Sequence, residues 1–289
     1  MLKNFFTGKG SILGVTPAII FLLIFFVAPF VVLLYYSLLT IEQGNIIGGP
    51  SFNKYIELLS DPFTYYLFGR TIALSFFVTI LCVLFGYPVA YLHSKIRQPF
   101  LKTLILAIVS APLLTSSLVL SFGWIVILGK RGLVNDLLLT LGLIDDPIKI
   151  LFTLRAVIIG LTQVMLPFMI VPLISTLQKL PQDLEDASAD LGATKWRTFW
   201  AVTIPQSIPS IAAGMSLVFV LTYTAFTVPS LTGGSAMQIV SVYIWNSVRL
   251  LTWDTAAAIS SLLLLTSLVI ITVFNIIVRR LTPWQKTQA

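Results

Sequence analysis

Long apolar runs separated by short charged islands dominate the chain. Residues free of Asp, Glu, Lys and Arg form six runs, at 10–41, 71–94, 103–129, 156–178, 198–248 and 255–278. A helix needs about 20 mostly apolar residues to cross a bilayer. Five of the runs hold one span each, and 198–248 is longer. Its first part, IPSIAAGMSLVFVLTYTAFTVPS, makes a span from Ile208 to Ser230, after which LTGGS breaks the pattern. The remainder carries Gln238, Asn246 and Arg249 and reads as a short amphipathic surface or re-entrant segment. The pattern predicts an all-α integral membrane protein with six transmembrane helices, near 15–39, 68–92, 103–128, 153–177, 208–230 and 256–278.

Composition agrees. The 289 residues are 57% hydrophobic and 10% charged, with a mean hydropathy of +0.97. Soluble domains are about 45–50% apolar and about 25% charged. A soluble enzyme, a disordered chain and a disulfide scaffold are excluded. Charge then sets orientation. With six spans both termini share a side, and one side holds Lys3, Lys9, Lys95, Arg97, Lys102, Lys179, Lys195, Arg197, Arg279, Arg280 and Lys286 against the acids Asp183, Glu185, Asp186 and Asp190. The other side holds Lys54, Arg70, Lys130, Arg131, Lys149, Arg155 and Arg249, balanced by seven acids. The whole net charge of +7 falls on the first side, which the positive-inside rule makes cytoplasmic. The prediction is N-in/C-in. The apolar stretch of the first span is too long for a signal-peptide core, and no A-x-A site follows it.

Chemistry-bearing residues are sparse. Cys82 is the one cysteine and reads as a small core hydrophobe. His93 is the one histidine, beside Lys95 and Arg97, and reads as an interfacial side chain. His-based triads, zinc sites and haem ligation do not fit such a chain. No Asp or Glu lies in the middle of a predicted span, which argues against a proton- or cation-coupled carrier. Prolines recur inside the spans at Pro29, Pro88, Pro112, Pro167, Pro172 and Pro229, giving kinks and hinges. No G-x-x-x-x-G-K-[ST] sequence is present, so the chain carries no nucleotide site of that kind.

The longest inside loop, 179–207, reads LQKLPQDLEDASADLGATKWRTFWAVTIPQ with its flanks. Pro181 and Asp183 start a helix, Gly192 ends it, and a second short helix follows at 194–201. Trp196, Phe199 and Trp200 suit the membrane interface. Two short helices around a glycine make a knob that either lies on the bilayer or docks a soluble partner.

Asp186-Ala187-Ser188, then Gly192, then Val202-Thr203-Ile204-Pro205 match the spacing of the EAA loop, E-A-A, three residues, G, nine residues, I-x-L-P. Asp186 stands for Glu, Ser188 for the second Ala, Val202 for Ile and Ile204 for Leu. The chain resembles permease subunits of binding-protein-dependent ABC importers over roughly 60–280, and looks most like the spermidine/putrescine branch. The resemblance implies a single permease domain over 1–289, with a core over 60–280 and a peripheral first helix. It implies a coupling helix seated in a groove of a separate ATPase, whose ATP-driven closure switches the path between inward and outward access. Glu185, Asp186, Ala187, Ser188, Ala189, Asp190, Gly192, Ala193, Lys195, Arg197 and Pro205 are the coupling residues it suggests. The implied partners are two ATPase subunits, a second permease (a distinct sister or another copy) and an extracytoplasmic solute-binding protein. That protein would be received by loops 40–67, 129–152 and 231–255, with Asp145 and Asp146 as candidate contacts. The chain itself would be non-catalytic.

For the translocation path, polar and aromatic residues on kinked spans or near the outer face are the candidates: Thr115, Ser116, Ser117, Gln163, Tyr223, Thr224, Thr227, Tyr243, Trp245, Asn246 and Asp254. A polyamine would meet aromatic faces along such a route, but the span interiors offer it no acids. A phosphonate or another small organic solute is the alternative within the class. A self-sufficient channel, a secondary transporter and a membrane-embedded transferase are the alternatives outside it.

Overall fold

The computed structural model describes residues 9–42, 45–234 and 237–281. Its elements follow the apolar runs. The first span joins α1 (Lys9–Leu22) to α2 (Ala28–Leu38) through a π turn at Leu23–Val27. A small antiparallel hairpin follows, β1 (Thr40–Glu42) with β2 (Asn45–Gly48), in which Ile41 faces Ile46. Then come α3 (Asn53–Ser60), the long α4 (Pro62–Lys95), α5 (Pro99–Leu114), α6 (Ser117–Leu128), α7 (Leu133–Thr140) and α8 (Leu154–Leu177). The 179–207 region forms α9 (Gln182–Asp190), α10 (Lys195–Thr198) and a second π turn at Phe199–Thr203. It leads into α11 (Ile204–Tyr223), and α12 (Thr227–Thr232), α13 (Val240–Arg249) and α14 (Trp253–Leu281) complete the chain. Lys3 and Lys286 lie outside the described residues.

Among the described residues, six stretches are long and apolar enough to cross a membrane: Thr16–Leu38, Pro62–Lys95, Ser117–Thr140, Leu154–Leu177, Lys195–Tyr223 and Trp253–Ile276. The number matches the expectation; two placements differ. The expected helix over 103–128 is broken between α5 and α6, where Thr115 is extended and the Ser116 hydroxyl accepts the Leu118 N–H at 3.3 Å. Pro112 weakens the turn before the break, and Ser116 supplies the N-cap that makes a fresh start favourable. The 16-residue α5 is about 24 Å long, shorter than a bilayer core of about 30 Å. The expected helix over 208–230 likewise stops at Tyr223, and Thr227–Thr232 is a separate short helix. The 10-residue α13 is too short to span, as its polar residues suggest.

Both π turns end two residues before a proline, Pro29 and Pro205. A proline lacks an N–H and its ring collides with the carbonyl four residues back. A widened turn relieves that collision. Pro88, Pro167, Pro172 and Pro209 stay inside ordinary α-helix, so proline permits the π turn without forcing it.

The chain folds as two compact units, each described by itself. In the unit of Tyr65–Val242 with Thr266–Ala289, α8 is the central element. Val157, Leu161, Met169 and Leu173 are fully buried there, with Val78 and Cys82 of α4 and Val218 of α11 in the same cluster. Cys82 is thus the core hydrophobe expected. His93 departs from expectation: it is buried, with Nδ1 3.4 Å from Gln178 Nε2, because α4 continues to Lys95 and turns this residue inward. Thr71, Ser75 and Thr79 line one buried stripe of α4, each hydroxyl donating to the carbonyl four residues back. Asn135, fully buried, orders the 129–148 loop by donating to the Gly129 and Ile148 carbonyls and accepting the Ile148 N–H. Asn135→Leu should make this loop the first site of proteolysis in detergent, because three part-buried backbone groups lose the side chain that ties them together.

In the unit of Met1–Thr64 with Tyr243–Leu265, Tyr55 joins three helices. Its hydroxyl donates to Ser37 Oγ on α2 at 2.7 Å and lies 2.6 Å from Ser261 Oγ on α14. Asp254 is 2% exposed and lies 3.5 Å from Lys54 Nζ, which also contacts Glu57 at 2.9 Å. Burial disfavours the Lys54 ammonium, yet Glu57 and Asp254 outweigh it and hold its pKa above the usual lysine value. The pair's contribution is therefore complete below the ordinary lysine pKa and fades as pH rises through the raised one. Lys54→Met should cost about 1–3 kcal/mol, since it strands a buried carboxylate, and thermal unfolding in detergent would read it.

Candidate functional site

The 179–207 connection builds a knob with two distinct faces. Pro181 is extended at the N-cap of α9, and Asp183 and Glu185 fall in the first turn, where carboxylates suit the exposed N–H groups. Gly192 has φ +79°. Its N–H donates to the Ala189 carbonyl at 2.8 Å, and the Ala193 N–H donates to the Ser188 carbonyl at 3.0 Å. This is a Schellman closure, which needs a left-handed residue at that position. Thr194 then caps α10, accepting the Arg197 N–H at 3.4 Å.

Side chains at i, i+3, i+4 and i+7 share a helix face. Asp183, Asp186, Ala187 and Asp190 occupy such a stripe on α9, and all are exposed. Leu191 projects beyond it at the tip, 90% exposed. Ala189, Gly192, Lys195 and Arg197 are also exposed, Ala193 less so. The other face is fastened. Lys95 Nζ, from the end of α4, donates to Glu185 Oε2. Thr203 Oγ1 donates to Glu185 Oε1 at 3.4 Å, and Ser188 Oγ lies 2.9 Å from Thr198 Oγ1. Glu185 and Ser188, which the sequence groups with the docking residues, therefore face inward. Pro205 enters α11 behind the π turn, re-aiming the chain from knob to span. Lys95, Thr198 and Thr203 are participants that the sequence did not identify. Their spacing from α9 carries no local signal.

The path candidates fall in both units and are described unit by unit. Thr115 and Ser116 sit exposed at the α5–α6 break. Gln163 Oε1 accepts from Trp124 Nε1 at 3.3 Å. Tyr223 is fully buried, its hydroxyl 2.8 Å from Thr266 Oγ1, and Thr227 is the first residue of α12. Ser117 is half-buried and opens α6, and Thr224 is exposed. In the other unit, the Tyr243 ring lies 5.5 Å from that of Phe63, Trp245 and Asn246 are exposed, and Asp254 is engaged by Lys54. An apolar cavity of about 330 Å³ between Ile72, Phe76, Met215 and Phe219 is lined by none of them. Asp145 and Asp146 are exposed on the loop that Asn135 orders.

Six apolar stretches among the described residues, with a capped helical knob between the fourth and fifth, make a polytopic membrane protein. The chain matches the family described as "Binding-protein-dependent transport system inner membrane component" over residues 82–287, and it belongs to that family. It is a multi-pass inner-membrane permease of an ABC importer. It is 38% identical over 206 residues to the spermidine/putrescine transport system permease protein PotB of Haemophilus influenzae, covering 71% of this chain and 72% of that protein. The PotB of Escherichia coli is 36% identical over 198 residues, covering 68% and 71%. Among solved structures, a bacterial alginate ABC transporter in complex with an alginate pentasaccharide-bound periplasmic protein has a chain of the same fold. It is 19% identical, with a TM-score of 0.73 over 98% of both chains.

Proposed function

We propose that this permease forms half of the path of an ATP-driven polyamine importer and is moved by a separate ATPase gripping α9. The polyamine assignment is supported by the PotB relatives at 36–38% identity. The coupling role is carried by one observation: α9 is pinned on its Glu185–Ser188 face and free on its Asp183–Asp186–Ala187–Asp190 face. A helix held by one side and bare on the other transmits a push to the body behind it. The bare face is acidic, so the receiving groove presents basic groups. In this reading α9, α10 and both termini are cytoplasmic. ATP and Mg bind the ATPase dimer, a second permease completes the path, and a periplasmic binding protein delivers the solute to the opposite loops. Acids that greet a polyamine come from that second permease, since the middles of the spans here lack them and Asp254, at the start of the sixth, is engaged by Lys54.

The test is uptake of radiolabelled spermidine by proteoliposomes holding the permeases and ATPase, with binding protein and ATP supplied on opposite sides. Uptake should require ATP and be competed by unlabelled putrescine. Flux through the permeases without ATPase, or uptake indifferent to excess polyamine, would overturn the coupling and substrate assignments respectively.

A further inference from the structure

The connections of α9 along the chain run to α8 and α11, yet its ion pair is with α4, 90 residues away. Lys95 reaches Glu185 from the last turn of α4, with its ammonium 5.5 Å from the Tyr91 ring centroid. Tyr91 packs edge-on against Phe199 of the π turn at 5.1 Å, Tyr87 does so at 5.9 Å, and Trp196 stacks on the same ring at 5.9 Å. Tyr87 also bridges to α11, its hydroxyl 3.1 Å from Ser207 Oγ. Glu185 accepts from Lys95 with one oxygen and from Thr203 with the other. One carboxylate thus joins α4, α9 and the segment entering α11, beside an aromatic cluster that blocks sliding between them.

We propose that Lys95 is a positioning residue that keeps α9 fastened to α4 throughout the transport cycle, so that a displacement of α9 moves α4 and α11 together. This rests on the coupling role proposed above. The pair is part-exposed, at 44% for Lys95 and 27% for Glu185, so it orients the helix more than it stabilises the fold. Without it, α9 keeps its docking stripe but rocks about its backbone ends. ATP-driven motion is then spent in the knob.

Three variants test this. Lys95→Met should leave the amount of ATPase–permease complex unchanged while spermidine uptake per ATP hydrolysed falls about fivefold, the factor an ion pair of this exposure can carry. The reversed pair, Lys95→Glu with Glu185→Lys, should recover most of that ratio. Lys95→Cys with Glu185→Cys, in a Cys82→Ser background, should be joined by a short reducible bis-methanethiosulfonate cross-linker that spans the length of the ion pair, and keep transporting. An unchanged ratio in Lys95→Met, failure of the reversed pair, or transport stopped by the cross-link and restored by reductant would each overturn the tether. Loss of complex in Lys95→Met would also overturn it, making Lys95 a docking residue. If the unmodified permease neither binds ATPase nor needs ATP, the coupling role itself fails, and the cross-link then reports only the contact.

Discussion

Gly192→Val should remove most ATP-driven uptake while permease accumulates in the membrane at its usual level. The backbone at Gly192 is left-handed, with φ +79°, and nothing lies within 4 Å of where a Cβ would be. The cost is therefore conformational, roughly 1–2 kcal/mol for an L-residue and more for a β-branched one. Such a cost is small beside the packing of the spans, so insertion and folding survive. It is large for the knob, where two backbone bonds close the end of α9 and the chain next starts α10. Opening that closure frees the Ala189 and Ser188 carbonyls and shifts Lys195 and Arg197 relative to the acidic stripe. If the productive tip becomes the minor form, a penalty of about 1.4 kcal/mol lowers uptake about tenfold. Gly192→Asn tolerates left-handed φ and should be milder. Gly192→Asp shares that tolerance but adds a charge beside Asp190, so its excess over Asn measures the charge preference of the groove. Uptake by proteoliposomes, normalised to permease on an immunoblot, reads all three. Full uptake by Gly192→Val would show that docking does not use the tip conformation.

The spans were legible because the bilayer imposes them. A run of about 20 apolar residues has little alternative to a membrane helix, and the ends of the first and fourth spans fall within a residue or so of those expected. The breaks were less legible. Composition does not distinguish Thr115–Ser116 from other polar pairs in a membrane helix; the break depends on Pro112 beforehand and on Ser116 finding an N–H to cap. The β1–β2 pair carried a weak signal, two short stretches mixing polar and apolar residues within an island too short to stand out beside the spans. The knob was legible where chemistry is local. Pro181, Asp183 and Gly192 are start and stop signals whose meaning lies within a few residues. Which face of α9 points outward was not local, because it depends on Lys95 arriving from another span. Glu185 and Asp186 are adjacent carboxylates, alike in sequence, and only the fold gives one to the body and leaves the other bare.

Gly214→Leu should cost more folded permease than any change in the knob. Met169 is fully buried at the centre of α8 and is flanked by glycines from two helices. A Cβ on Gly214 of α11 would lie 2.7 Å from Met169 Sδ; one on Gly86 of α4 would lie 3.1 Å from Met169 Cγ and 3.2 Å from Ile170 Cγ1. Neither glycine has positive φ, so what they provide is close approach of backbones, as small residues do at membrane helix interfaces. Met169 is flexible and could retreat from one added methyl, but Gly86 and Ile170 crowd the other side. Overpacking of this kind costs about 1–3 kcal/mol per site, and a leucine exceeds what one thioether can yield. The expected readout is loss of the monodisperse peak in size-exclusion chromatography, with Gly214→Ala intermediate and Gly86→Ala mildest. Met169→Val should partly restore Gly214→Ala, because the added and removed volumes lie at the same contact. Met169→Val alone should be destabilising, since it leaves a void between the two glycines. That reversal of sign between backgrounds separates a packed contact from a general intolerance of substitution. Additive losses instead would mean that α8 and α11 are not held by this contact.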